Sequence, residues 1–178
     1  MFENFSIQKY KTLKHPPSSS LKTLSEIKFL NSKQINSGFA QKYDNIERVF
    51  KDLFNNKSRK YPSELVANLI KESSKPILKI KNYHNRERPN VVAKNFGINL
   101  PYVKMSSAQT AAFPSGHSAQ AFLIKEVLTD MYPEMNPLFV KAADNISKSR
   151  IVANVHYNSD KVVGERLGVD LYNHLKNI

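Results

Sequence analysis

The stretch SRIVANVHYNSD, residues 149–160, brings together Arg150, His156 and Asp160 in a segment that otherwise has an apolar, helical pattern. The planar guanidinium of an arginine matches two oxygens of a phosphate. A histidine followed by a carboxylate one helical turn later can have one ring nitrogen held by the carboxylate while the other faces outward, as nucleophilic catalysis requires. Because such residues also decorate helices for solubility, the stretch needs support from the rest of the chain.

Composition limits the classes of protein that this chain can belong to. Its 178 residues suit one domain with a real core, and five glycines without alternating β-branched runs favour helices. The absence of cysteine excludes disulfides, thiolate catalysis and cysteine-ligated metals. The formal net charge of +12 predicts an anionic partner, which leaves a phosphorylated small molecule, a nucleic acid or a membrane surface open.

No apolar run approaches the roughly 20 residues that a membrane-spanning helix needs. Residues 1–10 carry no apolar core or cleavage site of a secretory signal. These observations predict a soluble, cytoplasmic protein without a membrane span, and they leave peripheral contact with a membrane open.

Periodicity predicts an irregular lead-in over residues 1–20 and one helical domain over residues 21–178. Within it, apolar spacing predicts helices over residues 21–30 and 40–54 and another that begins at Pro62-Ser63-Glu64. A last helix follows Asp160, and its Gly164 and Gly168 would let a neighbouring helix approach closely.

A second motif is KNYHNRERP, residues 81–89. Lys81 and Arg88 are seven positions apart, which would put them on nearly the same side of a helix until Pro89 ends it. The two cations either converge on one anion or simply stabilise a helix end through its dipole, and the spacing alone favours the second interpretation.

A third motif, PSGHS at residues 114–118, opens a helix. Its amides point outward, Gly116 lets an oxyanion approach them, and Ser115 adds a hydroxyl donor. His117 in the first turn is placed to protonate a leaving group, although a serine cap beside a surface histidine explains the pattern equally well.

His15, His84 and His174 have no partner pattern and are predicted to be surface residues.

Together the motifs read KxxxxxxRP, PSGH and SRxxxxxHxxxD, in that order. This ordered set resembles the type-2 phosphatidic acid phosphatase/vanadium haloperoxidase superfamily, and the chain is most similar to its soluble class A non-specific acid phosphatases over roughly residues 75–175. The resemblance implies an all-α, single-domain helical bundle with the site among its helices. It also implies phosphate ligands at Lys81, Arg88, Ser115, Gly116 and Arg150.

The resemblance further implies that His156 attacks phosphorus, that Asp160 orients it and that His117 protonates the leaving oxygen. The predicted activity is therefore metal-independent hydrolysis of a phosphorylated small molecule through a phosphohistidine. No spare cluster of carboxylates and histidines suggests a metal site, and three cations with helix-end amides can neutralise the transferred group.

Three alternatives stay open. The first is a vanadate-dependent haloperoxidase with vanadate on His156, the only case in which a cofactor is expected. The second is a phosphatase for lipid or isoprenoid phosphates at a membrane surface, to which the basic N-terminal part would bind. The third, a nucleic-acid-binding module, is not favoured because the catalytic set is intact.

The segment 90–113 is predicted to line the pocket mouth through apolar residues: Val91, Phe96, Leu100, Tyr102 and Met105.

Overall fold

A computed structural model describes residues 1–57 and 59–177, and these residues form helices and two short 3₁₀ turns but no strand. The all-α prediction is therefore confirmed. The helices are α1 Gln8–Thr12, α2 Leu21–Asn31, α3 Ser37–Lys42, α4 Ile46–Asn55, α5 Ser63–His84, α6 Pro89–Asn95, α7 Gly116–Met131, α8 Asn136–Val152 and α9 Asn158–Lys176.

Polar side chains fix where several of these helices begin. Ser20 accepts a hydrogen bond from the Thr23 amide at 3.1 Å, and Asn45 accepts one from the Arg48 amide at 2.9 Å. Each cap satisfies an amide that has no partner within its helix, which typically stabilises the helix by about 1 kcal/mol.

The core is centred on α7, which packs against α9, α8 and α5. Helix α4 covers part of α8 and α5 and buries Phe50 and Phe54 completely. The apolar faces of the long helices bury their residues against one another: Val66, Leu69, Ile80, Leu123, Ile124, Leu128, Phe139, Ile146, Leu167 and Leu171. Burial of this apolar surface is the main force that holds the helices together.

Two glycines on α9 allow the close packing of α7 and α9. A Cβ atom at Gly164 would overlap the carbonyl oxygen of Ser115, and one at Gly168 would overlap that of Ala119. The predicted close approach of a neighbouring helix to this glycine pair is confirmed. It ties the start of α7, where the PSGH motif lies, to the start of α9.

The helix predicted over residues 40–54 is interrupted. Helix α3 ends at Lys42 and α4 begins at Ile46, because Asn45 caps α4 and its extended backbone breaks the helical path. Asp44 thereby lies in a turn, from which its side chain reaches the site described below.

The helix expected through KNYHNRERP ends earlier than predicted. Helix α5 stops at His84 because Asn85 adopts a left-handed conformation with φ of 44°. Pro89 is the first residue of α6, and Arg88 precedes that helix in an extended conformation. The prediction that Lys81 and Arg88 share one helix face is therefore wrong, although both reach the same cleft.

The stretch SRIVANVHYNSD is not one helix either. Helix α8 ends at Val152, and Asn154 turns the chain with φ of 55° while its amide group donates to the Pro101 carbonyl at 2.9 Å. Helix α9 then begins at Asn158. His156 lies in the turn between the two helices, and Asp160 lies in the first turn of α9.

The N-terminal lead-in is more ordered than expected. It contains α1, buries Phe2 and Tyr10, and bonds the Tyr10 hydroxyl to Asp170 on α9. The division at residue 20 stays a prediction, and Ser58 and Ile178, which the predicted domain includes, lie outside the described residues.

Candidate active site

The three sequence motifs meet at one cleft of about 180 Å³. The end of α5, the segment before α6, the start of α7 and the turn before α9 all contribute to its lining: Lys81, Arg88, Gly116, His117 and His156. A larger groove of about 580 Å³ lies between α4 and α8 but contains none of the motif residues. Chemistry, and not volume, therefore identifies the candidate site.

His156 is held between a carboxylate and a guanidinium. Its Nδ1 lies 3.2 Å from Oδ2 of Asp160, and Arg88 Nη1 donates to its Nε2 at 2.9 Å. Because a guanidinium can only donate, Nε2 is the acceptor and the proton resides on Nδ1. Burial, followed by the charges of Arg88 and Lys81, holds the pKa of His156 well below its usual range. The Nε2 lone pair that nucleophilic attack needs is thus present at neutral pH.

Asp160 is completely buried, and donors surround its carboxylate. Arg86 Nη1 donates to Oδ1 at 2.6 Å, and the Tyr157 amide donates to Oδ2 at 3.0 Å. Burial raises the pKa of Asp160, and the charge of Arg86 opposes that rise. The carboxylate can therefore fix the orientation of the His156 ring.

Arg86 was missed in the sequence analysis. It donates to Glu26 on α2 at 3.0 Å and to the Ser159 hydroxyl at 2.8 Å, and its guanidinium lies 3.7 Å from the centre of the Tyr157 ring. Its position two residues before Arg88, inside a motif already singled out, was the available signal. Nothing in the sequence pointed to Glu26.

Lys81 and Arg88 supply positive charge to the cleft. Lys81 donates to the Ala111 carbonyl, and burial, followed by the charge of Arg88, lowers its pKa to about 7. Arg88 donates to the carbonyls of Thr110 and Val155 at 2.9 Å and 2.6 Å. Burial lowers its pKa to about 10, which leaves it charged at neutral pH.

Ser115 and Arg150 lie behind the cleft and do not line it. Ser115 is buried, caps α7 by accepting from the Ser118 amide at 3.3 Å, and donates its own amide to the Asp160 carbonyl at 3.0 Å. Arg150 is also buried, and its Nε has no hydrogen-bond partner among the described residues. The N-terminus of α7 places Gly116 in the cleft.

Asp44 is a second residue that the sequence analysis missed. Its Oδ1 accepts from Arg150 Nη1 and from the Ser107 hydroxyl, both at 2.7 Å. His117 Nε2 lies 3.2 Å from the same oxygen and 2.9 Å from the main-chain carbonyl of Asp44. No spacing rule links residue 44 to the three motifs, and the predicted helix over residues 40–54 concealed the turn.

The histidines predicted to be surface residues are half-buried. His84 Nε2 lies 2.8 Å from the Tyr10 carbonyl, and its ring packs edge-on against His15 and Phe113. His174 packs against Phe5. The surface prediction for His15, His84 and His174 is wrong because the N-terminal segment, which carries His15, packs against the other two rings.

The segment 90–113 is divided between two environments. Val91, Tyr102 and Met105 line a separate groove of about 250 Å³ that shares Arg88 with the cleft, and their place at the mouth of the pocket stays a prediction. Leu100 and Phe96 instead pack into a small core cluster with Ile27 and Leu30 of α2.

Among the residues that the structure describes, no three histidine or carboxylate side chains come together as metal ligands would. The roles of the eight predicted site residues, and the expectation that no metal or cofactor is needed, stay predictions.

Comparison with known proteins supports the interpretation of the motifs. A sequence model of the PAP2 superfamily matches residues 63–172. A non-specific acid phosphatase of Salmonella typhi is 26% identical over 140 residues, which cover 76% of this chain and 56% of that protein. One of Salmonella typhimurium strain LT2 is 28% identical over 98 residues, or 55% of this chain and 39% of that protein. The chain thus spans about half the length, or less, of these curated relatives.

The fold is also that of a solved structure. A crystal structure of a transmembrane PAP2 type phosphatidylglycerolphosphate phosphatase from Bacillus subtilis superposes with a TM-score of 0.62. The match covers 95% of this chain and 90% of that chain at 18% sequence identity. At this identity the likeness establishes the fold alone.

This match corrects one prediction. The expectation of a soluble, cytoplasmic protein is wrong, because the fold is shared along almost its whole length with a transmembrane enzyme. In the part of the chain that the structure describes, no helix has the length and apolar character of a membrane span.

Proposed function

The chain belongs to the PAP2 superfamily, and on that premise we propose that it hydrolyses phosphomonoesters through a phosphohistidine formed on His156. One observation carries the proposal: the neutral Nε2 of His156 faces the cleft while Asp160 holds the opposite nitrogen of the ring. Curated relatives named non-specific acid phosphatases support the same reaction class.

The first half-reaction transfers the phosphoryl group to the enzyme. His156 Nε2 attacks phosphorus in line with the leaving oxygen, the bond from phosphorus to that oxygen breaks, and His117 donates a proton to the oxygen. Asp160 stabilises the positive charge that develops on the His156 ring.

The second half-reaction regenerates the enzyme. His117, now neutral, takes a proton from water, and the resulting oxygen attacks phosphorus and releases His156 and inorganic phosphate. Lys81, Arg88 and the amide of Gly116 in the cleft, with the charge of Arg150 behind it, oppose the negative charge on the transferred oxygens. The acid, the base and the cations in this scheme all belong to the chain, and water supplies the proton that restores His117, so the proposal needs no metal ion.

A phosphorylated lipid is the second candidate substrate. Leu78 lines the cleft, and Val91 and Tyr102 line the adjoining groove. The three side chains are 40%, 44% and 45% exposed, so an apolar surface adjoins the phosphate cradle. The structural neighbour is itself named a phosphatidylglycerolphosphate phosphatase, which gives this candidate further support.

The first test is hydrolysis of para-nitrophenyl phosphate by the full chain in the presence of EDTA. The wild type is expected to turn over and to be inhibited by vanadate, and His156→Ala is expected to lower kcat by about 10³-fold or more. His174→Ala, a histidine outside the cleft, is the matched control. When the reaction is quenched, an acid-labile phosphoenzyme should be detected in the wild type and should be absent from His156→Ala.

Four outcomes would contradict the proposal. Turnover that EDTA abolishes would overturn the metal-free scheme, and full activity of His156→Ala would overturn the nucleophile. A wild type that hydrolyses only phosphorylated lipids in mixed micelles would replace the small-molecule substrate by the second candidate. Oxidation of halide that requires vanadate, without any phosphatase activity, would assign the chain to the haloperoxidase alternative.

A further inference from the structure

Asp44 reaches the candidate site from outside the region that the family comparison matches. It lies in the turn between α3 and α4, whereas the matched region is residues 63–172. Its carboxylate contacts Arg150, Ser107 and His117, and its main-chain carbonyl contacts His117 a second time. A residue from the N-terminal part of the chain thus supports two of the groups to which the proposed function gives a role.

We propose that Asp44 is a positioning residue for the reaction: it orients the His117 imidazole so that Nδ1 serves the leaving oxygen, and it anchors the Arg150 guanidinium. The inference rests on the proposed function, because it assigns a purpose to the contacts of the proposed general acid.

Hydrogen-bond chemistry sets the state of the His117 ring. Both groups of Asp44 near Nε2 are oxygen acceptors, at 2.9 Å and 3.2 Å, so Nε2 must carry a proton to satisfy either of them. Neutral His117 is therefore the Nε2–H tautomer, and Nδ1 is the nitrogen that gains and loses the catalytic proton.

The site then contains two opposed histidine–carboxylate pairs. Asp160 holds Nδ1 of His156 and leaves Nε2 for phosphorus. Asp44 holds Nε2 of His117 and leaves Nδ1 for the leaving oxygen. The two rings line the same cleft, so the pairs place a nucleophile and a proton donor about one phosphoryl group.

Asp44 acts from behind the site and does not occupy it. His117 and Ser107 line the cleft, whereas Asp44 does not. Its Oδ1 and the Ser107 hydroxyl together engage Nη1 and Nη2 of Arg150 at 2.7 Å and 3.1 Å, which fixes the plane of the guanidinium. The contrasting interpretation, a carboxylate that competes with phosphate for Arg150, is an outcome that the test can detect.

The charges around His117 predict the direction of the pH effect. The charged and titratable groups that face it from the neighbouring elements are Asp44, Arg150, Lys81, Arg88 and His156. Burial lowers the pKa of His117, Arg150 lowers it further, and Asp44 is the group that raises it. The hydrogen bonds from His117 and Ser107 and the charge of Arg150 hold the pKa of Asp44 well below its usual range. Asp44 is therefore ionised at neutral and mildly acidic pH.

The deciding experiment compares Asp44→Asn with Asp52→Asn, which neutralises an exposed carboxylate on α4 that has no side-chain partner among the described residues. Histidine ring ¹H–¹⁵N NMR of the wild type should show the Nε2–H tautomer at His117. In Asp44→Asn the pKa of His117 should fall, and the alkaline limb of the pH profile of kcat should move to lower pH. We expect kcat to fall about tenfold or more with a smaller change in KM. Asp52→Asn should match the wild type.

The outcomes separate this inference from the proposed function. An Nδ1–H tautomer at His117, or the same pH profile for both variants, would overturn the role of Asp44 even if the wild type is an active phosphatase. Tighter phosphate binding with a higher kcat in Asp44→Asn would replace it by the competing-anion interpretation. An inactive wild type would overturn the proposed function, while the NMR tautomer and pKa would still decide the pairing. If Asp44→Asn does not fold, Ser107→Ala, which removes one anchor of the carboxylate, should produce the same shifts to a smaller extent.

Discussion

Arg86 joins the two parts of the site that the motifs describe separately. It neutralises Asp160, the carboxylate that holds His156, and it connects that carboxylate to Glu26 on α2. Glu26 also accepts hydrogen bonds from the Ser159 amide and hydroxyl at 2.8 Å and 3.0 Å. A buried network in which every member has a partner restricts the geometry of the whole group.

Removing Arg86 should therefore be costly for folding. Arg86→Ala leaves the carboxylate of Asp160 buried without its cation, and we expect the free energy of unfolding to fall by about 3–5 kcal/mol. Urea unfolding monitored by circular dichroism measures the change. Arg59→Ala, which breaks an exposed ion pair with Glu134, is the control and should cost at most about 1 kcal/mol. Equal losses in the two variants would show that the Arg86 network does not stabilise the fold.

The motif residues could be predicted from the sequence because their spacing is local and ordered, as for Lys81 and Arg88 or His156 and Asp160. Asp44 and Glu26 could not, because they reach the site across intervals of more than 60 residues, as from Asp44 to Arg150 and from Glu26 to Ser159. Only the packing of α2 and of the turn before α4 brings these carboxylates to the site.

Helices α7 and α9 act as one unit through the glycines of α9. Gly168→Ala should push the helices apart and lower the free energy of unfolding by about 1–3 kcal/mol, because its Cβ would overlap the backbone of α7. Gly164→Ala should have a similar effect on stability and also lower kcat, since the overlap there is with Ser115 at the start of the PSGH helix. Thermal unfolding and kinetics on both variants provide the measurement.

The control for these variants is Val162→Ala, at an exposed position of the same helix. It should leave both stability and kcat close to those of the wild type. If Gly164→Ala and Gly168→Ala behave like this control, α7 and α9 are able to separate without cost, and the predicted coupling is absent.

The helices themselves could be predicted from periodicity, but several of their ends could not. Asn85 and Asn154 adopt left-handed conformations that stop α5 and α8. An asparagine has that ability wherever it occurs, so the sequence does not show which one uses it. Pro89 was expected to end a helix and instead begins one, since a proline suits the first turn equally well.

The stability of the folded chain should rise with pH from about pH 5 to about pH 9. Burial lowers the pKa of His84, His117 and His156, so below about pH 6.5 the unfolded chain binds protons that the native state does not. Burial also lowers the pKa of Lys81 to about 7, so the unfolded chain holds an additional proton there up to about pH 10.5. Both effects destabilise the native state at the lower pH, and the raised pKa of the single carboxyl group of Asp160 opposes them only in part. Each proton that the unfolded chain binds and the native state does not changes the free energy of unfolding by about 1.4 kcal/mol per pH unit.

Lys81→Met isolates the second effect. Urea unfolding at a series of pH values should show a flatter slope above about pH 7 for this variant than for the wild type, while Lys79→Met, at an exposed neighbouring lysine, should keep the wild-type slope. An unchanged slope in Lys81→Met would mean that Lys81 does not titrate in this range.

The location of the protein was the property that the sequence predicted worst. The prediction of location relied on the absence of a long apolar run from the sequence, whereas the same helical fold occurs in a transmembrane enzyme. Fold and family were predicted well because they depend on periodicity and on ordered motifs, which the chain itself contains.

The hydrogen bond from Arg88 to Nε2 of His156 has a consequence for chemical selectivity. Under the proposed function, the lone pair that attacks phosphorus is masked in the resting protein, and an anion that draws the guanidinium to its own oxygens would unmask it. Neutral esters and other uncharged electrophiles encounter a histidine whose lone pair is already engaged. Discrimination in favour of anions would thus be exerted on the attacking atom itself, before any leaving group is recognised.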